Sequence, residues 1–404
     1  MEKLAIDGGA PVRTEPFPAW PIFDELEERL LIEAVRSGKW GGAGAVTNDA
    51  YAAKLPEFEK AFMKLQDASY AVPVVNGTIA ITAALQAAGV QQGDEVIIPP
   101  YTFIATATAA LLYGVIPVFV DVEEDTLLLD PEKVEQAITP RTKAIIAVHI
   151  GGAPADLTRL KAIAGKHNLK LIEDSAQAVG AQWEGRGVGA IGDLGTFSFQ
   201  SSKNVNAGEG GVILTNDRDL WEQAWSFCNV GRIPEGGWYQ HERFGLNLRM
   251  TEFQAAILLA QMTRVEEQMQ LRERNAKLLN EQLGEIGGIQ LLKRDPRITR
   301  HAWHLYMFKL DSALTAKGGK AEFLKRLQAE GIPASSGYIP LNTNKAVVEK
   351  IRQWTGETRI NDCPVCERLC EKEVVWLHQN ILLADERAMS DIAKAVKKVA
   401  GSLA

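Results

Sequence analysis

Between residues 71 and 227, short apolar runs alternate with helix-like stretches. Most of these runs lack the every-second-residue alternation of a strand with one wet face. The runs are 71–75 (AVPVV), 95–98 (EVII), 117–121 (PVFVD), 144–149 (AIIAVH), 169–173 (LKLIE), 195–199 (GTFSF) and 211–215 (GVILT). The stretches between them, at 78–89, 102–112, 131–138, 156–167 and 217–227, read as helices. Asp130 ahead of Pro131 supplies an N-cap with proline at the first helical position. Strands buried on both faces and spaced by helices predict a mostly parallel sheet with helices on both sides, an α/β fold.

After about residue 250 the pattern changes. Residues 251–282 read as one long helix, with Thr251 as its cap and Glu252 in its first turn. A strand at 303–310, a helix at 319–330 and a C-terminal helix at 385–400 follow. The expected organisation is an N-terminal arm (1–29), a large α/β domain (30–250) and a smaller α+β C-terminal domain (251–404) that includes the long connecting helix. At 404 residues, 46% apolar and 24% charged, the chain can bury a large core without staples. Its net charge of −7 leaves no basic excess for phosphate backbones, so nucleic acid is not an expected partner. No apolar run approaches the roughly 20 residues of a membrane span. The first 21 residues carry acids and prolines rather than a signal-peptide pattern, and there are only four cysteines. A cytoplasmic setting is expected.

Two strand ends carry the chemistry. LIEDSAQAVG (171–180) leaves its strand on Asp174, and TFSFQSSKN (196–204) leaves the next one on Ser198 and reaches Lys203. In open α/β sheets, ligands bind outside the carboxyl ends of the strands. An acid and a lysine there suit pyridoxal 5'-phosphate (PLP, and its aminated form PMP). That cofactor needs an amine for a Schiff base and a carboxylate to keep its ring nitrogen protonated. VVNGTIAITAAL (74–85) reads as strand, turn and helix, so Gly77 and Thr78 could cradle a phosphate at a helix N-terminus. Ser198 could add a hydroxyl, and Phe103, in PPYTFIATA (99–107), could stack on the ring. Taken singly, each has a structural reading: Asp174 as a turn or cap residue, Lys203 as a solvated surface lysine, Gly77 as part of a simple helix cap, Phe103 as core.

The ordered set NGT, PYTFIAT, EDSAQAVG, SFQSSKN, AGEGG and GLNLRMTEFQAA resembles the sugar and cyclitol aminotransferases of fold type I. The resemblance spans essentially the whole chain. It implies that Lys203 forms the Schiff base, that Asp174 partners the ring nitrogen and that Gln177 bonds the ring's phenolic oxygen. It also implies that Gly77, Thr78 and Ser198 hold the phosphate and that Phe103 stacks. Asn247 would reach the phosphate from the other subunit of a homodimer with shared sites, and Arg249 would contact a substrate carboxylate. The opening segment, SFQ before the lysine, and VWLHQNILL (375–383) are similar to one branch: scyllo-inosose and 2-deoxy-scyllo-inosose aminotransferases and 3-amino-5-hydroxybenzoate synthases. Gly337, in SGYIPLN (336–342), stands where many nucleotide-sugar members have histidine. Tyr338 and His378 are candidate substrate contacts.

These features imply amino transfer from L-glutamine or L-glutamate to a keto-cyclitol or keto-sugar. The alternatives are a dehydrating aminohydroxybenzoate synthase, a nucleotide-sugar aminotransferase and a non-catalytic cofactor-binding regulator. GVGAIG (187–192) fits a dinucleotide fingerprint, but it precedes a strand rather than opening a helix and reads as a turn. Cys363, Cys366 and Cys370 lack a fourth cysteine nearby and suit one helix face, so no metal is expected. Trp20, Trp40, Trp183 and Trp238 read as packing or loop anchors.

Overall fold

The structure is a computed structural model that describes residues 2–41, 51–237, 239–316, 318–356 and 361–403, so Trp238 lies outside the described residues. Seven strands form the main sheet: β1 (Tyr70–Val74), β2 (Glu95–Ile98), β3 (Ile116–Phe119), β4 (Thr142–Val148), β5 (Lys170–Asp174), β6 (Leu194–Ser198) and β7 (Gly211–Thr215). Their spatial order is β1-β7-β6-β5-β4-β2-β3. β7 runs antiparallel to both of its neighbours, and the other pairs are parallel. Every residue of β2, β6 and β7 is buried, which is why these strands read as continuous apolar runs rather than alternating ones.

Helix α1 (Glu25–Arg36) carries a capping box between Asp24 and Glu27. Helix α2 (Lys54–Leu65) buries Phe58 and Phe62, which meet Phe197 and Phe199 of the β6 segment edge to face, with centroids 5.0–5.4 Å apart. Helix α3 (Gly77–Ala87) is rich in alanine and buried nearly all round, so it can lie close against the sheet.

A second sheet of three antiparallel strands follows: β8 (Ile289–Leu291), β9 (Leu305–Leu310) and β10 (Val374–His378), in the order β8-β9-β10. The last helix (Glu386–Leu403) packs into the core of this sheet through Met389, Ile392, Val396, Val399 and Leu403, at helical spacing. Burying each such side chain stabilises by roughly 1.5–3 kcal/mol. Residues near the start of the chain contact this unit. The buried Glu330 carboxylate accepts from the N–H groups of Ala5 and Val12 and from Lys398 Nζ, at 2.8–3.1 Å. Arg13 pairs with Asp391 at 3.1 Å.

The expected single helix over 251–282 is in fact two, α4 (Glu252–Met262) and α5 (Val265–Leu283). At the break the backbone tightens. Thr263 and Arg264 donate to carbonyls three residues back, and the Thr263 hydroxyl bonds Ala260 O at 2.7 Å. Arg264 is drawn aside to Glu27 and Asp24, at 2.6–2.9 Å. No periodicity within 251–282 could show that tie, because its partners lie more than 230 residues earlier. No helix among the described residues is long and apolar enough to cross a membrane.

Candidate active site

A cavity of about 640 Å³ opens at the carboxyl ends of β1, β5 and β6 and is closed from the other side by residues of the second sheet. The Asn76 side chain caps α3, accepting from Ile79 N–H at 2.9 Å. The N–H groups of Gly77 and Thr78 therefore remain as the free donors of a helix start. Gly77 is required by close approach, since a Cβ there would lie 2.7 Å from Ser198 Cβ. The helix N-terminus thus rests against the end of β6, and the Ser198 hydroxyl lines the same corner.

Asp174 ends β5 and is buried. It accepts from the Thr106 hydroxyl at 2.8 Å and from Ala176 N–H at 3.3 Å. Burial raises its carboxyl above the usual range, against the pull of Thr106, Ala176 and the Lys203 charge. Lys203 follows a turn closed by its own N–H on Gln200 O, at 2.9 Å. Burial lowers its amine to about 8, partly offset by the charge of Asp174. Lys203 is thus pushed toward its neutral form, as a buried amine that must act as a nucleophile requires. Gln177 is held by Gly151 N–H on Oε1 and by the Tyr338 hydroxyl on Nε2, both at 2.7 Å.

The opposite wall is aromatic. The Tyr338 ring meets Trp376 edge to face at 4.4 Å, and Trp376 Nε1 donates to the buried Tyr101 hydroxyl at 2.8 Å. Gly337 has a positive φ of 82°, and a Cβ there would lie 2.9 Å from Trp376 Nε1. A side chain at Gly337 would collide with that ring, which is a packing reason for the glycine. His304 and His378 complete the wall.

The cavity therefore brings together Gly77, Thr78, Phe103, Asp174, Gln177, Ser198, Lys203, Tyr338 and His378. Phe103 is 56% exposed and is not a core residue. Asn247 and Arg249 are not among the lining residues. Asn247 is exposed and bridges Asn229, while Arg249 bridges Val74 and lines a separate cavity with Glu59 and Glu252. Arg249 Nη1 is buried there without a hydrogen-bond partner. Thr106, His304 and Trp376 were not singled out from the sequence. Thr106 and Trp376 sit inside quoted motifs, and His304 is a histidine entering an apolar strand.

The other motifs resolve into structure. The GVGAIG turn wraps the buried Glu173, whose carboxylate accepts from the N–H groups of Gly189, Ile191 and Gly192 at 2.6–2.8 Å and meets His149 Nε2 at 3.0 Å. Cys363, Cys366 and Cys370 are buried thiols, with the last two sulfurs 3.8 Å apart. Among the described residues no group of three candidate ligands could hold a metal ion.

An amine, a facing carboxylate and a helix N-terminus thus share one pocket, and this donor set fits a phosphorylated pyridine aldehyde. Residues 27–397 match the DegT/DnrJ/EryC1/StrS aminotransferase family. The chain belongs to this family. It is 39% identical, over 98% of its length and 97% of the relative's, to an L-glutamine:2-deoxy-scyllo-inosose aminotransferase of Streptoalloteichus tenebrarius. It is 35% identical, over 94% of its length and 96% of the relative's, to a 3-amino-5-hydroxybenzoate synthase of Amycolatopsis mediterranei. Among solved structures, that of a 3-amino-5-hydroxybenzoic acid synthase superposes with a TM-score of 0.86 at 33% identity, covering 96% of this chain and all of that one. An aminotransferase from Psychrobacter cryohalolentis superposes at 0.85 and 31% identity, covering 96% of this chain and all of that one. The family assignment makes the chain an aminotransferase on the α/β fold of fold type I enzymes.

Proposed function

We propose that this aminotransferase uses pyridoxal 5'-phosphate to move an amino group from L-glutamine or L-glutamate to an inosose-type keto-cyclitol or keto-sugar, in the making of an aminocyclitol or aminosugar antibiotic. The observation that carries this reading is the convergence of Lys203 and Asp174 beside the N-terminus of α3 in one cavity. The relatives' names support the choice of donor and acceptor.

Lys203 would hold the cofactor covalently, Asp174 its ring nitrogen, Gln177 its phenolic oxygen and Phe103 its face. Gly77, Thr78 and Ser198 would hold its phosphate. When bound, the cofactor supplies an electron sink for the donor's α-carbon. Lys203 Nζ, lowered to about 8, can then take and return a proton near neutral pH. Asp174 supplies negative charge where a cationic ring nitrogen is stabilised, and Thr106 keeps that carboxylate aimed. Donor and acceptor would use the site in turn, with ping-pong kinetics.

Asn247, outside its own chain's cavity, would complete the phosphate site of a partner copy in a homodimer. Mixing the inactive variants Lys203→Ala and Asn247→Ala should then restore part of the activity, because a mixed dimer has one intact site. No recovery, with mixed dimers shown to be present, would remove Asn247 from the partner's site.

A panel of inososes and keto-sugars assayed with glutamine tests the main reading. It expects an aminated cyclitol or sugar, and no amination of any member would overturn it. The likeness to 3-amino-5-hydroxybenzoate synthases carries the second reading, which an aromatic product formed with loss of water would favour.

A further inference from the structure

The hydrogen-bond polarity of two groups on the aromatic wall is set by backbone atoms outside it. Gly151 N–H donates to Gln177 Oε1, so the other end of that amide must be its NH₂, and this donates to the Tyr338 oxygen. The Tyr338 oxygen already accepts, and its own hydrogen remains to be given. On the other side, Asn204 Nδ2 donates to Ala302 O at 2.7 Å, which makes Asn204 Oδ1 the acceptor facing His304 Nδ1 at 3.0 Å. His304 therefore carries its proton on Nδ1, and Nε2 keeps a lone pair. Both residues line the cavity. Burial keeps the Tyr338 phenol protonated by raising it well above its ordinary value. Burial, with the charges of Lys203, His378 and Arg272, holds His304 neutral.

The cavity wall thus offers one fixed donor and one fixed acceptor. A carboxamide has one acceptor and one donor face, whereas a carboxylate has acceptors only. Among the described lining residues Lys203 is the sole lysine or arginine. Resting on the aminotransferase reading above, we propose that Tyr338 and His304 select L-glutamine over L-glutamate, Tyr338 Oη donating to the carboxamide oxygen and His304 Nε2 accepting from the carboxamide nitrogen. Glutamate would set its carboxylate against the His304 lone pair. The hydroxyls of a polyol acceptor both donate and accept, so the same pair does not exclude the second substrate.

The test is the ratio of kcat/KM for L-glutamine to that for L-glutamate in the donor half-reaction of the holoenzyme, with calorimetric Kd values of both amino acids for the Lys203→Ala variant. The wild-type ratio should favour glutamine about a hundredfold, two hydrogen bonds at about tenfold each. The Kd values should rank the same way. Tyr338→Phe removes only the hydroxyl and should lower the ratio about tenfold, the scale of one lost hydrogen bond. His304→Phe should do the same. That variant leaves Asn204 Oδ1 without its partner, so Tyr338→Phe decides alone if His304→Phe fails to fold. A purely structural role would slow both donors alike. Turnover with both donors and an unchanged ratio in Tyr338→Phe would overturn this inference alone, as would a wild-type preference for glutamate. Failure of every donor with wild-type enzyme would overturn the aminotransferase reading and this inference with it.

Discussion

The wall of the cavity formed by the large sheet and the wall formed by the small one differ in how their residues come together. Asp174, Gln177, Ser198 and Lys203 lie within 30 residues of one another, at the ends of two paired strands in which Asp174 faces Thr196. Their positions follow from strand register and short turns. His304, Tyr338, Trp376 and His378 come from three separated segments. They are joined by the pairing of Leu305 with His378 and by ring contacts such as that between Tyr338 and Trp376. The first wall presents charge and backbone donors. The second presents aromatic edges and neutral polar atoms. The division suggests that chemistry common to all substrates sits on the first wall and choice among substrates on the second.

The largest effect expected is at Lys203. Lys203→Ala should have no measurable turnover with any substrate, while cofactor still binds through the helix cradle. In the wild-type protein, borohydride should fix the cofactor to the peptide containing Lys203, and label on another lysine would break the assignment. Asp174→Asn comes next. It keeps the shape of the side chain and removes the charge, so the rate of α-proton removal should fall about 10²-fold, the scale of a preorganised electrostatic group. A near-normal rate would make Asp174 structural only.

A pH series sharpens the link between these two residues. An amine must be neutral to attack, and Lys203 is lowered to about 8. Covalent loading of the cofactor should therefore rise about tenfold per pH unit below 8 and level off above it. Since the Asp174 charge raises the lysine, Asp174→Asn should move the inflection to lower pH. A shift to higher pH would contradict the assigned coupling.

The smallest effect belongs to the second wall. Trp376→Phe removes the bond from Nε1 to Tyr101, found at 2.8 Å, and should cost about 1–3 kcal/mol of stability. Substrate KM should rise by more than kcat falls, measured with donor and acceptor separately. A kcat loss as large as that of Asp174→Asn would erase the distinction between the walls.

Most of the first wall was legible because its residues are tied to local patterns. Asp174 and Ser198 stand at the ends of apolar runs, Gly77 and Thr78 follow a strand and open a helix, and Lys203 comes after a short turn. Thr106 was missed because a threonine on a buried helix looks like packing until its hydroxyl is seen 2.8 Å from Asp174. His304 was missed because its tautomer depends on Asn204 and Ala302, a link across 100 residues that no local pattern encodes. The break between α4 and α5 was missed for the same kind of reason, since Arg264 is held by Glu27 from the start of the chain.

The sequence by itself determined the buried parallel strands, the strand-end acid and lysine and the helix N-terminus, together with the resemblance that ordered them. These depend on side-chain periodicity and on groups a few residues apart, whose spacing the backbone geometry sets. Only the tertiary structure decided how the second sheet closes the cavity, why Gly337 must lack a side chain and which atoms of Tyr338 and His304 are left to donate and to accept. Those features rest on contacts between segments far apart in the chain. There, the donor or acceptor role of a side chain is set by its neighbours' hydrogen bonds and not by its own identity.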